Sequence, residues 1–213
     1  METLLQVLRA AGETTRLRLL AILSESELSV SEITHVLRQS QPRVSRHLKL
    51  LSDAGLITRF REGSWVFYRL ETRGPFGQLA HTLMDFLPPD DPVVMRDRER
   101  LADVRAERSE LAAEYFKRNA AEWGQVRALY VSEKDVEAAV TAMVGDEKVS
   151  VLVDLGTGTA QMLELLAGVA DTAIGYDTNH DMLNIARANL EQKGLSHCHV
   201  RYGDILSMPE PAG

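Results

Sequence analysis

Three acids and a glycine loop form the most chemically suggestive pattern in the chain. Asp154-Leu155-Gly156-Thr157-Gly158-Thr159-Ala160 follows an apolar run and opens a helical one, the context that a glycine-rich nucleotide loop requires. Gly156 allows a sharp turn and Gly158 lets the backbone approach a ligand. Ala160 stands where a third glycine often sits, small enough for a helix to pack on a strand. Asp177, twenty-one residues beyond Gly156, ends the next apolar run, where a carboxylate can accept both hydroxyls of a ribose. Gly203-Asp204 ends a third run. A glycine pattern alone is equally explained by a tight turn; acids at three successive strand ends are not.

A second set of residues suits nucleic acid. Along Ser40-Gln41-Pro42-Arg43-Val44-Ser45-Arg46-His47-Leu48-Lys49-Leu50-Leu51-Ser52-Asp53-Ala54-Gly55, a helical period puts Val44, Leu48 and Leu51 on one side and Pro42, Ser45, Arg46 and Lys49 on the other. Ser40 is placed to cap the start, Pro42 fits the first turn, and Gly55 ends the helix in a left-handed conformation. Arg and Lys on such a face meet base acceptors or phosphates in a major groove, and Ser and Gln add shorter hydrogen bonds. An ordinary solvated helix also shows a basic face, so the neighbouring elements decide. The expected DNA contacts are Ser40, Gln41, Arg43, Ser45, Arg46, His47 and Lys49, with Arg61 and Ser64 on the hairpin that follows.

The elements that must position these residues are legible as patterns. Helices are expected over residues 3–11, 14–23 and 30–37, with a turn at Arg38-Gln39. Strand-like runs at 56–61 and 65–70 are joined by Glu62-Gly63-Ser64. Helix, helix, turn, helix, hairpin is the order of a winged helix-turn-helix. Around the acids, strands at 150–154, 173–177 and 199–204 alternate with helices at 160–168 and 182–193, the latter stopped by Gly194. That alternation predicts a parallel βαβαβ sheet.

The expected architecture is therefore multi-domain: a winged helix over 1–87, a proline-rich hinge and charged connecting helix over 88–113, and a partial α/β Rossmann-like domain over 114–213. Pro88-Pro89-Asp90-Asp91-Pro92 cannot continue a helix. Beyond it Val94, Leu101, Val104, Leu111 and Tyr115 fit a heptad seam broken only at Arg108, which implies pairing with a dimer mate or a solvated single helix. Ser132 and Asp135 are placed to start another helix, ending near Val144-Gly145.

Composition is that of an ordinary globular chain: 213 residues, 45% hydrophobic, 26% charged, formal charge −7. The charge is uneven. Residues 41–73 carry 7 Lys/Arg against 3 Asp/Glu, while residues 88–213 carry 13 against 22, so positive charge gathers on the helix and hairpin. No apolar run approaches the roughly 20 residues of a membrane span, and the start is not a signal peptide; a cytoplasmic location is expected. Cys198 is the only cysteine, which excludes an internal disulfide.

Arg16-Leu17-Arg18-Leu19-Leu20, the run from Ser40 to Leu51, Ala54-Gly55-Leu56-Ile57 and Arg61-Glu62-Gly63 together resemble the ArsR/SmtB family of dimeric bacterial repressors. The resemblance implies a double-stranded DNA operator and a homodimer. It implies that Leu4, Leu5, Val7 and Leu8 pair across a two-fold axis with Phe76, Leu79, Leu83, Met84 and Phe86; the alternative is that these residues complete the monomer's own core. Metal-sensing members carry a Cys-x-Cys pair where this chain has Ser29 and Ser31, and hydroxyls cannot replace soft thiolates. His81 and Asp85, four apart, lack the further ligands a metal needs, so no metal site is expected.

The acid trio, with Ala186-Arg187-Ala188-Asn189-Leu190 and Arg201-Tyr202-Gly203-Asp204-Ile205, looks like the first half of a class I S-adenosylmethionine-dependent methyltransferase. A dinucleotide fold is the alternative, to which Gly203-Asp204 does not belong. The resemblance implies S-adenosylmethionine or S-adenosylhomocysteine as cofactor. Asp154, Gly156, Thr157 and Gly158 would lie near its methionine part, Asp177 on the ribose, Asp204 near the adenine amino group and Ile205 against its ring. Such domains continue for further strands, so a truncated piece with an unpaired first strand is expected, and no catalytic residue is assigned. The expected function is a dimeric repressor sensing the adenosyl compound. The alternatives are a small-molecule methyltransferase with a fused DNA-binding domain, and a scaffold whose second domain has lost its ligand.

Overall fold

Hydrophobic periodicity and helix-end chemistry account for most of the observed elements. The computed structural model describes residues 1–62, 65–127, 133–145 and 147–204; the side chains of 112, 113, 115–127 and 133 lie outside the description. The backbone forms two compact units, Met1–Val104 and Arg105–Gly213.

The first unit opens with α1 (Glu2–Ala11) and α2 (Thr14–Glu25), the latter started by the Glu13 carboxylate accepting from the Arg16 amide at 3.0 Å. A short β1 (Leu28–Ser29) precedes α3 (Val30–Leu37) and α4 (Gln41–Asp53). The hairpin β2 (Ile57–Glu62) and β3 (Trp65–Leu70) leads to α5 (Gly74–Asp85) and the start of α6 (Pro92–Arg127). The three strands pair antiparallel in the order β1-β3-β2, with Leu28 opposite Tyr68 and Phe60 opposite Phe67. Two residues are too few for an alternating pattern to show, which is why β1 was not expected. Leu19, Leu20, Ile22, Leu28, Ile33, Val36, Val44, Leu48, Leu51 and Leu56 fill one core. Ser29 stands in a capping box: its amide donates to Glu32 Oε2 at 2.7 Å and its hydroxyl accepts from the Glu32 amide. Ser29 therefore starts a helix.

The connecting helix differs from its expected form. Asp91 Oδ1 accepts from the amides of Val93 and Val94 at 2.8 and 3.1 Å, so the proline segment ends as the N-terminus of α6. Val94, Leu101 and Val104 are buried in the first unit, and Leu101 and Val104 belong to its core. Val94, Leu101 and Val104 of the seam thus pack on their own chain, and the first compact unit runs to Val104, beyond residue 87. A 7-3-7 spacing marks a stripe but not the surface that covers it. Leu111 remains 57% exposed, and the Tyr115 side chain lies outside the described residues.

In the second unit α7 (Glu133–Val144) precedes β4 (Val149–Leu155), α8 (Gln161–Leu165), a 3-10 turn at Ala167–Val169, β5 (Ala170–Asp177), α9 (His180–Gln192) and β6 (Cys198–Tyr202). Ser132, the expected cap of α7, lies outside the described residues. The strands are parallel in the order β4-β5-β6, as the alternation implied. The helix expected over 160–168 is shorter. Ala160 takes a left-handed conformation (φ +69°), so α8 starts only after it, and a 3-10 turn replaces its end at Ala167. One sheet face packs through Leu152, Ala173, Cys198 and Val200 on Leu163, Leu183, Ala186 and Leu190. On the other face Val149, Val151, Val153 and Leu155 are 41–51% exposed, and β4 and β6 are the sheet's two edges among the described residues. No helix of the described residues is long and apolar enough to cross a membrane.

Candidate functional site

The cationic site is built on α4. Val44, Leu48 and Leu51 are fully buried, and that fixes which way the helix faces. Ser40, Gln41, Arg43, Ser45, Arg46 and Lys49 are exposed on the opposite side. Arg38, in a left-handed conformation (φ 51°), ends α3 and turns the chain toward the Ser40 cap of α4. Gly55, at φ +71°, leaves it, with the Leu56 amide donating to Leu51 O at 3.0 Å. Ser40 occupies the cap position, yet its side chain makes no cap hydrogen bond. The hydroxyl expected to start the helix is left facing outward with the others. Lys49 Nζ lies 2.6 Å from Asp53 Oδ2, but both side chains are mostly exposed, so the pair adds little stability.

His47 is placed differently from the rest. Its side chain is only 13% exposed, with Nδ1 3.6 Å from Glu13 Oε2. Burial lowers its pKa from the ordinary value and the cations Arg16, Arg43 and Arg46 lower it further, against the pull of Glu13. A neutral ring turned toward α2 follows, and the basic face does not include it. Arg61 is exposed on β2, and Ser64 lies outside the described residues. Arg59, two residues before Arg61 on the same strand face, is also exposed. Arg59 is a further cation of that face, marked in the sequence by the period of two along the strand.

The second site lies at the carboxyl ends of the parallel strands. Gly156 (φ +78°) and Gly158 (φ +53°) turn the loop after β4, and the amides of Gly156 and Thr157 donate to Tyr176 O at 2.8 and 2.9 Å. Asp177 closes the loop: its Oδ2 accepts from the Gly158 amide at 2.9 Å and its Oδ1 from the Asn179 amide at 2.8 Å. Asn179 caps α9, accepting from the amides of Asp181 and Met182. An acid followed two residues later by Asn just before a helical run is a legible cap signal. Asn189 Nδ2 donates to Thr159 O at 3.0 Å, holding the far side of the loop.

By strand alternation Asp154, Gly175, Asp177 and Tyr202 share one sheet face, with Asp154 opposite Gly175 and Asp177 opposite Tyr202. Asp154 Oδ2 and Thr157 Oγ1 are buried with no hydrogen-bond partner among the described residues. A buried carboxylate oxygen without a donor is costly unless a ligand supplies one. The donor-poor arrangement around Asp154 and the carboxylate of Asp177 suits an ammonium and hydroxyl groups, so these residues fit a nucleoside that carries a free amino acid. Asp204 is exposed just past β6, and Ile205 lies outside the described residues. Among the described residues no three His, Cys, Asp or Glu come together to hold a metal.

The first unit is a winged helix-turn-helix, and the second holds a methyltransferase-like α/β domain with a parallel sheet. Residues 13–59 match the family of bacterial regulatory proteins of the arsR type, and residues 146–212 match a methyltransferase domain. The chain thus carries an ArsR-family helix-turn-helix domain at its N-terminus together with a methyltransferase domain. It is similar to the arsenic resistance transcriptional regulator ArsR1 of Pseudomonas putida, 46% identical over 70 residues that make up 32% of this chain and 55% of that protein. With the uncharacterized HTH-type transcriptional regulator MJ1325 of Methanocaldococcus jannaschii it is 38% identical over 64 residues, 30% of this chain and 72% of that protein. Among solved structures, reduced HlyU from Vibrio cholerae is 31% identical, covering 39% of this chain and 87% of that one, with a TM-score of 0.36. The chain thus spans about half the length of the Pseudomonas regulator.

Proposed function

We propose that the chain is a dimeric DNA-binding repressor of the bacterial cytoplasm whose methyltransferase-like domain binds S-adenosylmethionine or S-adenosylhomocysteine and acts as the sensor. The carrying observation is the exposed row of Arg43, Ser45, Arg46 and Lys49 on α4, aimed outward by the buried Val44, Leu48 and Leu51. Such a helix supplies base contacts and phosphate neutralisation together. Dimerisation is supported by α1, which leaves Leu4, Leu5 and Leu8 42–49% exposed, and by Phe86, 80% exposed beyond α5. Sedimentation equilibrium at micromolar concentration is expected to give twice the chain mass; a monomer would remove the dimer.

The ligand reading rests on the unpartnered Asp154 Oδ2, suited to an ammonium, and on Asp177, whose oxygens keep lone pairs beyond those given to the loop. S-adenosylmethionine would supply a transferable methyl group when bound; its demethylated product would act only as a signal.

The test is a DNA titration of the whole chain at fixed physiological salt, on an operator selected from random sequence, with and without S-adenosylhomocysteine. The ligand should shift DNA affinity about 5–150-fold. Arg46→Ala should cost about 1–3 kcal/mol of operator binding; unchanged affinity would withdraw the assignment of that face. A ligand that binds without moving DNA affinity, together with methyl transfer to any acceptor, would favour the enzyme instead.

A further inference from the structure

One feature at the strand ends belongs to neither the acid trio nor the loop. Tyr202, the last residue of β6, stacks on His180, the first residue of α9, with ring centroids 4.6 Å apart and planes 8° from parallel. Tyr202 lies opposite Asp177 in the register, and the Gly203 amide donates to Asp177 O at 3.1 Å. Alternation puts its side chain on the same sheet face as Cys198 and Val200, and so on the face of Asp177. Although the stack holds the ring, Tyr202 stays 40% exposed. A large aromatic kept in a fixed plane and left partly bare is poor use of apolar surface unless something flat covers it.

We propose that Tyr202, backed by His180, is the platform on which the adenine ring of the bound ligand stacks. The proposal rests on the adenosyl reading above and assigns to it two residues that the acid pattern did not contain. In open parallel sheets ligands bind beyond the carboxyl ends of the strands. There Asp177 takes the ribose, and one strand further along the sheet the chain presents an aromatic surface. Purine rings stack on tyrosine through their π faces, with no need for a hydrogen-bond pattern, and the histidine ring behind fixes the tyrosine in plane before the ligand arrives. The stack thereby selects for a base-bearing ligand, while the acids select for its ribose and amine.

Two ligands separate the base from the rest: S-adenosylhomocysteine and S-ribosylhomocysteine, which lacks adenine. Calorimetry on the full chain should show Tyr202→Ala weakening S-adenosylhomocysteine about 5–150-fold, with S-ribosylhomocysteine unchanged. Tyr202→Phe should bind both as the unaltered chain does, because the ring remains. Asp177→Asn should weaken both ligands, because both carry the ribose. Unaltered S-adenosylhomocysteine affinity in Tyr202→Ala overturns the platform alone, and so does an equal loss for the two ligands, the mark of a displaced strand end. If the unaltered chain binds neither ligand at millimolar concentration, the adenosyl reading falls and the platform with it.

Discussion

Asp97→Ala is expected to destabilise the first unit by about 3–5 kcal/mol. Asp97 sits on α6 and is 1% exposed. Its two carboxylate oxygens accept from Arg18 Nε and Nη2 at 2.6 and 2.7 Å, and Oδ1 also accepts from Arg100 Nη1 at 3.2 Å. The same two arginines reach the end of α3: Arg18 Nη2 donates to Leu37 O and Arg100 Nη1 to Val36 O, each at 3.1 Å. One buried acid therefore joins α2, α3 and α6 immediately before the left-handed Arg38 that leads into α4. Removing it leaves the Arg18 guanidinium, 14% exposed, without its counter-charge. That uncompensated charge, more than the lost pair, makes the expected effect large. The hydrogen bonds Arg18 donates to Asp97 raise its pKa above the ordinary value against the opposing pull of burial; without them the guanidinium still stays charged, because arginine does not deprotonate in proteins. Denaturant unfolding read from Trp65, in a Trp123→Phe background, checks the figure; a loss below about 1 kcal/mol would show that the cluster carries little. Asp97→Leu combined with Arg18→Met should recover most of the loss, as apolar replacements of buried ion pairs do.

That cluster also marks the limit of what the residues alone revealed. The ends of α4, the hairpin strand at residues 65–70 and the glycine loop were legible because their signals are local: proline in a first turn, glycine where φ must be positive, alternation over six residues. Arg18 and Asp97 are 79 positions apart, and no periodicity relates them. Val94, Leu101 and Val104 showed the right stripe, but a stripe says only that one side is covered. The sequence could not distinguish a dimer mate from the chain's own core. His47 was grouped with the basic face because its neighbours in the sequence are basic; its position between that face and the buried row turns it to Glu13 instead. In the second unit the acids were legible by type and spacing, whereas the bond Asp177 accepts from the Gly158 amide depends on two loops meeting across the sheet end.

The second large effect is expected at Gly175, near the carboxyl end of β5. A Cβ built there would lie 2.5 Å from Thr157 Oγ1 and 2.7 Å from both Thr157 Cβ and Cγ2. Real atoms do not approach so closely, and Thr157 cannot swing aside: it is branched at Cβ, only 7% exposed, and its amide is bonded to Tyr176 O at 2.9 Å. The loop must therefore move as a whole, carrying the Gly158 amide away from Asp177. Gly175→Ala should cost about 1–3 kcal/mol of stability, the usual range for overpacking, and should remove S-adenosylhomocysteine binding by misplacing the loop. Thr157→Gly in the same chain should restore the lost stability, because it removes every atom the new methyl meets, and the hydroxyl it deletes has no partner to lose among the described residues. A double-mutant cycle over the two positions measures this directly, with a favourable coupling of about 0.5–3 kcal/mol expected. A coupling near zero would mean that strand and loop do not bear on each other, and the cradle of the second site would then need another origin.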